Sequence, residues 1–133
     1  MIMSEKLIKH WVDSSERDFN DMHLMYHSEQ YSWCLFVGHL VLEKLLKAIY
    51  AQTHTEQPVA PRIHNLIRLA ELCDVELDIA TKEKFNVINS FNLEARYEDV
   101  ENDFYEQCTK EFADEQCEII KELREWLITL IKE

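Results

Sequence analysis

Apolar and polar positions recur at helical spacing along most of this chain, and the stretch with the broadest apolar face is residues 31–53, YSWCLFVGHLVLEKLLKAIYAQT. Cys34, Val41, Leu45 and Ala48 form one apolar line, and Leu35, Leu42, Leu46 and Ile49 form a second beside it. Two adjacent lines make a face broad enough for more than one neighbour. Gly38, the only glycine in the protein, lies inside this predicted helix. Glycine there costs about 1 kcal/mol relative to alanine, so close packing against the backbone, as by a crossing helix, is the expected reason for it. His39, Glu43 and Lys47 recur every four residues and share a polar line, with Lys44 beside it. This central helix is expected to carry the core and the candidate site.

The same reading predicts a first helix over residues 4–27, with Ser4 as N-cap and Leu7, Ile8, Trp11, Phe19, Met22, Met25 and Tyr26 on its apolar side. Asp18 falls close to that side, where a carboxylate needs a partner. Lys44 or Lys47 would supply one, unless Asp18 sits at a wet edge. Residues 28–30 break the pattern, so the first two helices form an antiparallel hairpin. Residues 53–62 hold both prolines, Pro58 and Pro61, and read as a loop. A short helix follows over residues 64–73. A fourth starts after Thr81, includes Phe85, Ile88, Phe91 and Leu93, and ends between Asn92 and Tyr97. The acidic stretch 98–107 lacks periodicity and is expected to be irregular. The last helix, residues 109–132, turns Phe112, Gln116, Ile119, Ile120, Leu123, Trp126, Leu127, Leu130 and Ile131 to one side.

Composition narrows the class. One glycine and two prolines are too few for a turn-rich β protein. The expected architecture is a single all-α domain over residues 1–133, an up-down bundle of four to five helices. The net charge of −12 makes general nucleic-acid binding unlikely. Residues 98–118 carry nine acids and only Lys110 as a base, the pattern of a solvated acidic face. No apolar run is long enough to span a membrane, and residues 1–11 show no secretory h-region. None of Cys34, Cys73, Cys108 and Cys117 forms C-x-x-C, which fits a cytoplasmic protein with reduced thiols.

Little in the pattern itself points to chemistry. His23 and His27 are four apart, but Leu24 stands where H-E-x-x-H would need its glutamate, and no third ligand is indicated; no metal and no cofactor are expected. No glycine-rich turn exists for a nucleophile elbow or a phosphate loop. Asn89, Asn92 and Arg96 are spaced to share a helix face, with Tyr97 and Asp99 following. Arg96 either grips a carboxylate or phosphate from a ligand or pairs with an acid such as Asp99 to tie down the chain.

Four segments, in order, resemble the HEPN family of small helical domains. They are WVDSSERDF at residues 11–19, with Asp18 toward its end; LEKLLKA at 42–48, like the family's E-K-x-x-K-A; His64-Asn65-Leu66, like its H-[DN]-L; and ARYED at 95–99, like its R-Y-P-D, with Glu98 in place of proline. The resemblance implies a bundle of four or five helices that forms a homodimer. Many members are ribonucleases, often toxins, and some work beside a nucleotidyltransferase. Their catalytic arginine is followed four to six residues later by a histidine. Here Arg96 is followed at those positions by Glu101, Asn102 and Asp103, and no histidine occurs after His64. The resemblance therefore implies a non-catalytic module binding a nucleotide or a nucleotidyltransferase-type partner. Its expected ligand residues are Lys44, Lys47, His64, Arg96 and Tyr97, beside a structural polar network of Asp18, Glu43 and Lys44. The rival readings are a ribonuclease using Arg96 with an unusual partner residue, and a ligand-free scaffold using Trp33, Phe36, Val37 and Leu40, which do not all fit one buried side.

Overall fold

The structure, a computed structural model, describes residues 2–94 and 98–132, the side chains of 93–94 and 98–102 excepted. Six helices form among the described residues: α1 (Met3–His27), α2 (Tyr31–Thr53), α3 (Leu66–Leu72), α4 (Ile79–Glu94), α5 (Glu98–Gln107) and α6 (Lys110–Thr129). The protein is all-α, a helical bundle with α2 at its centre.

Helix α2 is central because it has almost no exposed side. Nearly every residue from Cys34 to Ala51 is buried, and the helix packs on α1, α6, α3 and α4. At Gly38 the reason for glycine is visible. A Cβ there would lie 2.6 Å from Ile120 Cδ1 of α6 and 3.4 Å from Met22 Sδ of α1. The crossing expected from the sequence is that of α6. On the other side α1 turns small polar residues inward. Ser14 and Ser15 are buried, and Ser15 Oγ donates to the Val41 carbonyl at 2.9 Å, so the hairpin's two backbones approach closely. Helix α6 is held to α1 by Arg124, which reaches Glu16 at 2.5 Å and lies 3.9 Å over the Phe19 ring. Its far end is held by Gln52 of α2, which donates to the Leu130 carbonyl at 3.0 Å and accepts from the Lys132 N–H at 2.7 Å.

Several boundaries differ from the sequence reading. Ser4 is not the N-cap of α1: Ile2 takes that position without a side-chain bond, and Ser4 is buried in the first turn. Helix α3 begins at Leu66, after His64, because Asn65 caps it, accepting from the Arg68 N–H at 3.1 Å. Helix α4 begins before Thr81, since Asp78 accepts from the Thr81 N–H at 2.7 Å. Residues 98–107 are helical, not irregular. Phe104, 1 % exposed and 5.5 Å from the Phe91 ring, anchors α5 to the core. A well-buried aromatic ties down a ten-residue helix that carries five acids and shows no long apolar stripe.

Two helix ends close without glycine. After α1, the Glu29 N–H bonds the Tyr26 carbonyl and the Gln30 N–H the Met25 carbonyl; after α3, Asp74 and Val75 bond Glu71 and Ala70 in the same way. The pattern is the Schellman closure, whose middle residue sits in the left-handed region that glycine normally fills. Here Glu29 (φ 60°) and Asp74 (φ 57°) take that position.

Candidate functional site

The polar line of α2 meets the chain just before α3. Glu43 is 4 % exposed. One of its carboxylate oxygens accepts from His64 Nδ1 at 2.9 Å, and the other accepts from Lys47 Nζ at 3.0 Å. His39, fully buried one turn earlier on α2, donates through Nε2 to the His64 carbonyl at 2.8 Å and lies 3.8 Å from Glu43 through Nδ1. Helix α2 therefore holds residue 64 twice, by backbone through His39 and by side chain through Glu43. Asn89 of α4 completes the seam. It accepts from the Leu66 N–H at 2.8 Å and donates to Asn65 Oδ1 at 3.2 Å. A buried carboxylate needs charge and hydrogen bonds around it to be tolerated, and Lys47 supplies the charge. The Lys47 ammonium also sits 5.2 Å from the Trp11 ring of α1, a cation–π distance.

Lys44 projects elsewhere. Its ammonium lies 2.6 Å from Asp18 and donates to Ser14 Oγ at 2.7 Å, both on α1. The expected network of Asp18, Glu43 and Lys44 is therefore two clusters. Asp18 pairs with Lys44, and Glu43 belongs with Lys47, His39 and His64. Successive helix residues point about 100° apart, so Glu43 and Lys44 face different neighbours. Of the expected ligand residues, the fold brings Lys47 and His64 together on Glu43 and sets Lys44 apart from them. Arg96 and Tyr97 lie outside the described residues. Asn92, which the spacing placed beside Arg96, is buried at 6 % exposure. His39 and Asn89 are the site members that spacing undervalued. The four-residue rhythm 39–43–47 was the available signal for His39, and nothing local pairs Asn89 with residue 66.

The arrangement is chemically specific. Both lysines already face a carboxylate, so neither is an open cation for a phosphate. The imidazole of His64 is different. Its side chain is 43 % exposed, and Glu43 holds its Nδ1–H and so fixes the tautomer. Elsewhere His23 Nδ1 bonds the Phe19 carbonyl at 2.8 Å. Among the described residues no three His, Cys, Asp or Glu side chains converge as metal ligands would. Among them, too, no helix is long and apolar enough to cross a membrane.

A six-helix bundle centred on one buried helix, with an E-K-x-x-K segment facing an H-N-L turn, defines a small all-α domain of one kind. The family model described as HEPN domain matches residues 8–131, nearly the whole chain, and the protein belongs to that family. No curated protein and no solved structure matches the chain.

Proposed function

We propose that this chain is a non-catalytic HEPN module that acts by binding a protein partner, in the first instance a second copy of itself. The observation that carries this reading is the outer face of α2 near its start. Trp33, Phe36 and Leu40 are spaced three and four apart and share a face. Trp33 is 47 % exposed and is braced edge-on by the Phe36 ring at 5.9 Å, while Phe36 and Leu40 are half-buried. Val37, expected in the same surplus group, turns into the core instead. A braced, exposed tryptophan beside apolar neighbours is the composition of an interface anchor, and the family resemblance implies homodimers. Each copy carries a charge of −12, so two copies repel at long range. Salt shortens that repulsion to about 10 Å at 0.1 M. The pair therefore tightens as salt rises. Light scattering after gel filtration tests this: a dimer is expected for wild type, strengthened by salt, and a folded monomer for Trp33→Glu. A wild-type monomer at every salt concentration overturns the self-association. A nucleotidyltransferase-type partner on the same face would then be the form to examine.

The nucleotide form of the reading has less support, because Lys44 and Lys47 are engaged by Asp18 and Glu43. A thermal-shift screen with common nucleotides is expected to show no shift. A ligand at about 100 times its Kd adds about 2.7 kcal/mol, which a domain of this size reports as a shift of roughly 5–15 °C. Such a shift, absent in Arg96→Ala, would restore nucleotide binding. One observation favours the ribonuclease reading: Glu43 orients a half-exposed imidazole at His64, the general-base geometry missing after Arg96. RNA cleavage lost in both His64→Ala and Arg96→Ala would establish it.

A further inference from the structure

Between the second half of α1 and the first half of α6 runs a groove of about 390 Å³, lined by Phe19, Met22, His23, Tyr26, Asp114 and Cys117 among others. Cys117 is half-buried and opens into it. Directly behind, Cys34 of α2 is fully buried, and the two sulfurs are 3.5 Å apart. The pair thus has an outer thiol that a reagent reaches and an inner one that it does not. The polarity of the contact agrees with that order. The hydrogen bond from Cys34 holds the Cys117 thiol below its ordinary range, against the opposing effects of burial and Asp114. The same bond, with burial, pushes Cys34 up. A thiolate is the attacking form in exchange chemistry, and its formation is favoured at the outer sulfur. Cys73 has no such arrangement: its thiol donates to the Leu46 carbonyl at 3.3 Å, and burial pushes it up to about 12.

We propose that Cys117 and Cys34 form a thiol–disulfide exchange site for low-molecular-weight disulfides entering the α1–α6 groove. The Cys117 thiolate attacks one sulfur of the small disulfide. The new bond is a mixed disulfide at Cys117, and the leaving sulfur departs as a thiolate. Cys34 then attacks the Cys117 sulfur, and its proton goes to the second small thiol as that leaves. Two protein thiols are oxidised, one small disulfide is reduced to two thiols, and α2 is cross-linked to α6. Closing the contact to a disulfide length of about 2.05 Å needs a movement of roughly 1.5 Å, within reach of side-chain rotation and a slight helix shift.

The test treats the reduced 133-residue chain with glutathione disulfide under native conditions, quenches with acid at intervals, and maps the peptides by mass. Expected is a transient glutathione adduct on Cys117, followed by a peptide pair joined through Cys34 and Cys117 and a net loss of two hydrogens. In Cys34→Ala the adduct on Cys117 should persist. In Cys117→Ala, Cys34 should stay reduced. Lack of reaction in the wild type, or a first adduct on Cys34, Cys73 or Cys108, overturns the proposal. So does a terminal linkage through Cys108, a buried thiol close enough to influence Cys34. The order of adducts in wild type decides the matter even if a variant does not fold.

Discussion

Two polar clusters sit one residue apart on the same helix and are built for different ends. At Lys44, α2 meets α1. The ammonium and the Asp18 carboxylate are each about one-fifth exposed, at 21 % and 19 %, and Ser14 fills a remaining bond. The pair is closed on itself. At Glu43, α2 meets the segment before α3. The carboxylate is buried, but the side chain of one of its partners, His64, is 43 % exposed. That cluster runs from the core to the surface, through the half-exposed His64 imidazole. The difference shows how one helix turn can fix a hairpin with one side chain and orient a half-exposed imidazole with its neighbour.

Breaking the deeper cluster should cost most. Glu43→Ala leaves Lys47 and His64 without their shared anion, and such half-broken buried pairs lose about 3–5 kcal/mol. Urea unfolding measures it, and a loss near zero would mean that Lys47 escapes to solvent past Trp11. Gly38→Leu should come next. It forces Ile120 away from the α2 backbone without touching either cluster, an overpacking of about 1–3 kcal/mol. Gly38→Ala should stay within about 1 kcal/mol of wild type, because better helix propensity offsets the displacement of the flexible Ile120 tip. Asp18→Asn, at the more exposed pair, should cost only about 1 kcal/mol. A double-mutant cycle sharpens the contrast: Glu43 and Lys47 should couple strongly, and Glu43 and Lys44 weakly, despite adjacency in sequence.

The smallest effect is expected outside both clusters. Tyr26 donates a short hydrogen bond to Asp114, which Lys110 also reaches at 3.1 Å. The Tyr26 bond first, and Lys110 second, hold the Asp114 carboxyl below its ordinary value of 3.8. A carboxyl lowered by folding adds stability above that ordinary value and loses it as pH falls through the lowered one. Melting temperatures from pH 6 downward should therefore fall slightly less steeply in Tyr26→Phe than in wild type. Identical acid limbs would show that solvent screens this exposed network completely.

The expectations that held and those that failed divide by range. Helices α1, α2 and α6 were legible because each buries a long stripe, and a stripe repeats its signal every turn. The segment 98–107 was not, because its helix depends on Phe104 meeting Phe91, a contact that no local spacing announces. Glu29 and Asp74 were likewise hidden, since a left-handed helix end is usually marked by glycine and this chain has only Gly38.

By itself the sequence determined an all-α bundle around residues 31–53, the close crossing at Gly38, the HEPN pattern and the missing histidine after Arg96. These depend on periodicity and on the order of residue types, which are properties of the chain alone. Only the tertiary structure decided that Lys44 belongs to Asp18, that Glu43 gathers His39, Lys47 and His64, that Trp33 stays outside while Val37 goes in, and that Cys34 meets Cys117. Each of those outcomes turns on which neighbour lies within a few ångströms of a side chain, and helix spacing sets a residue's direction without saying what it will meet.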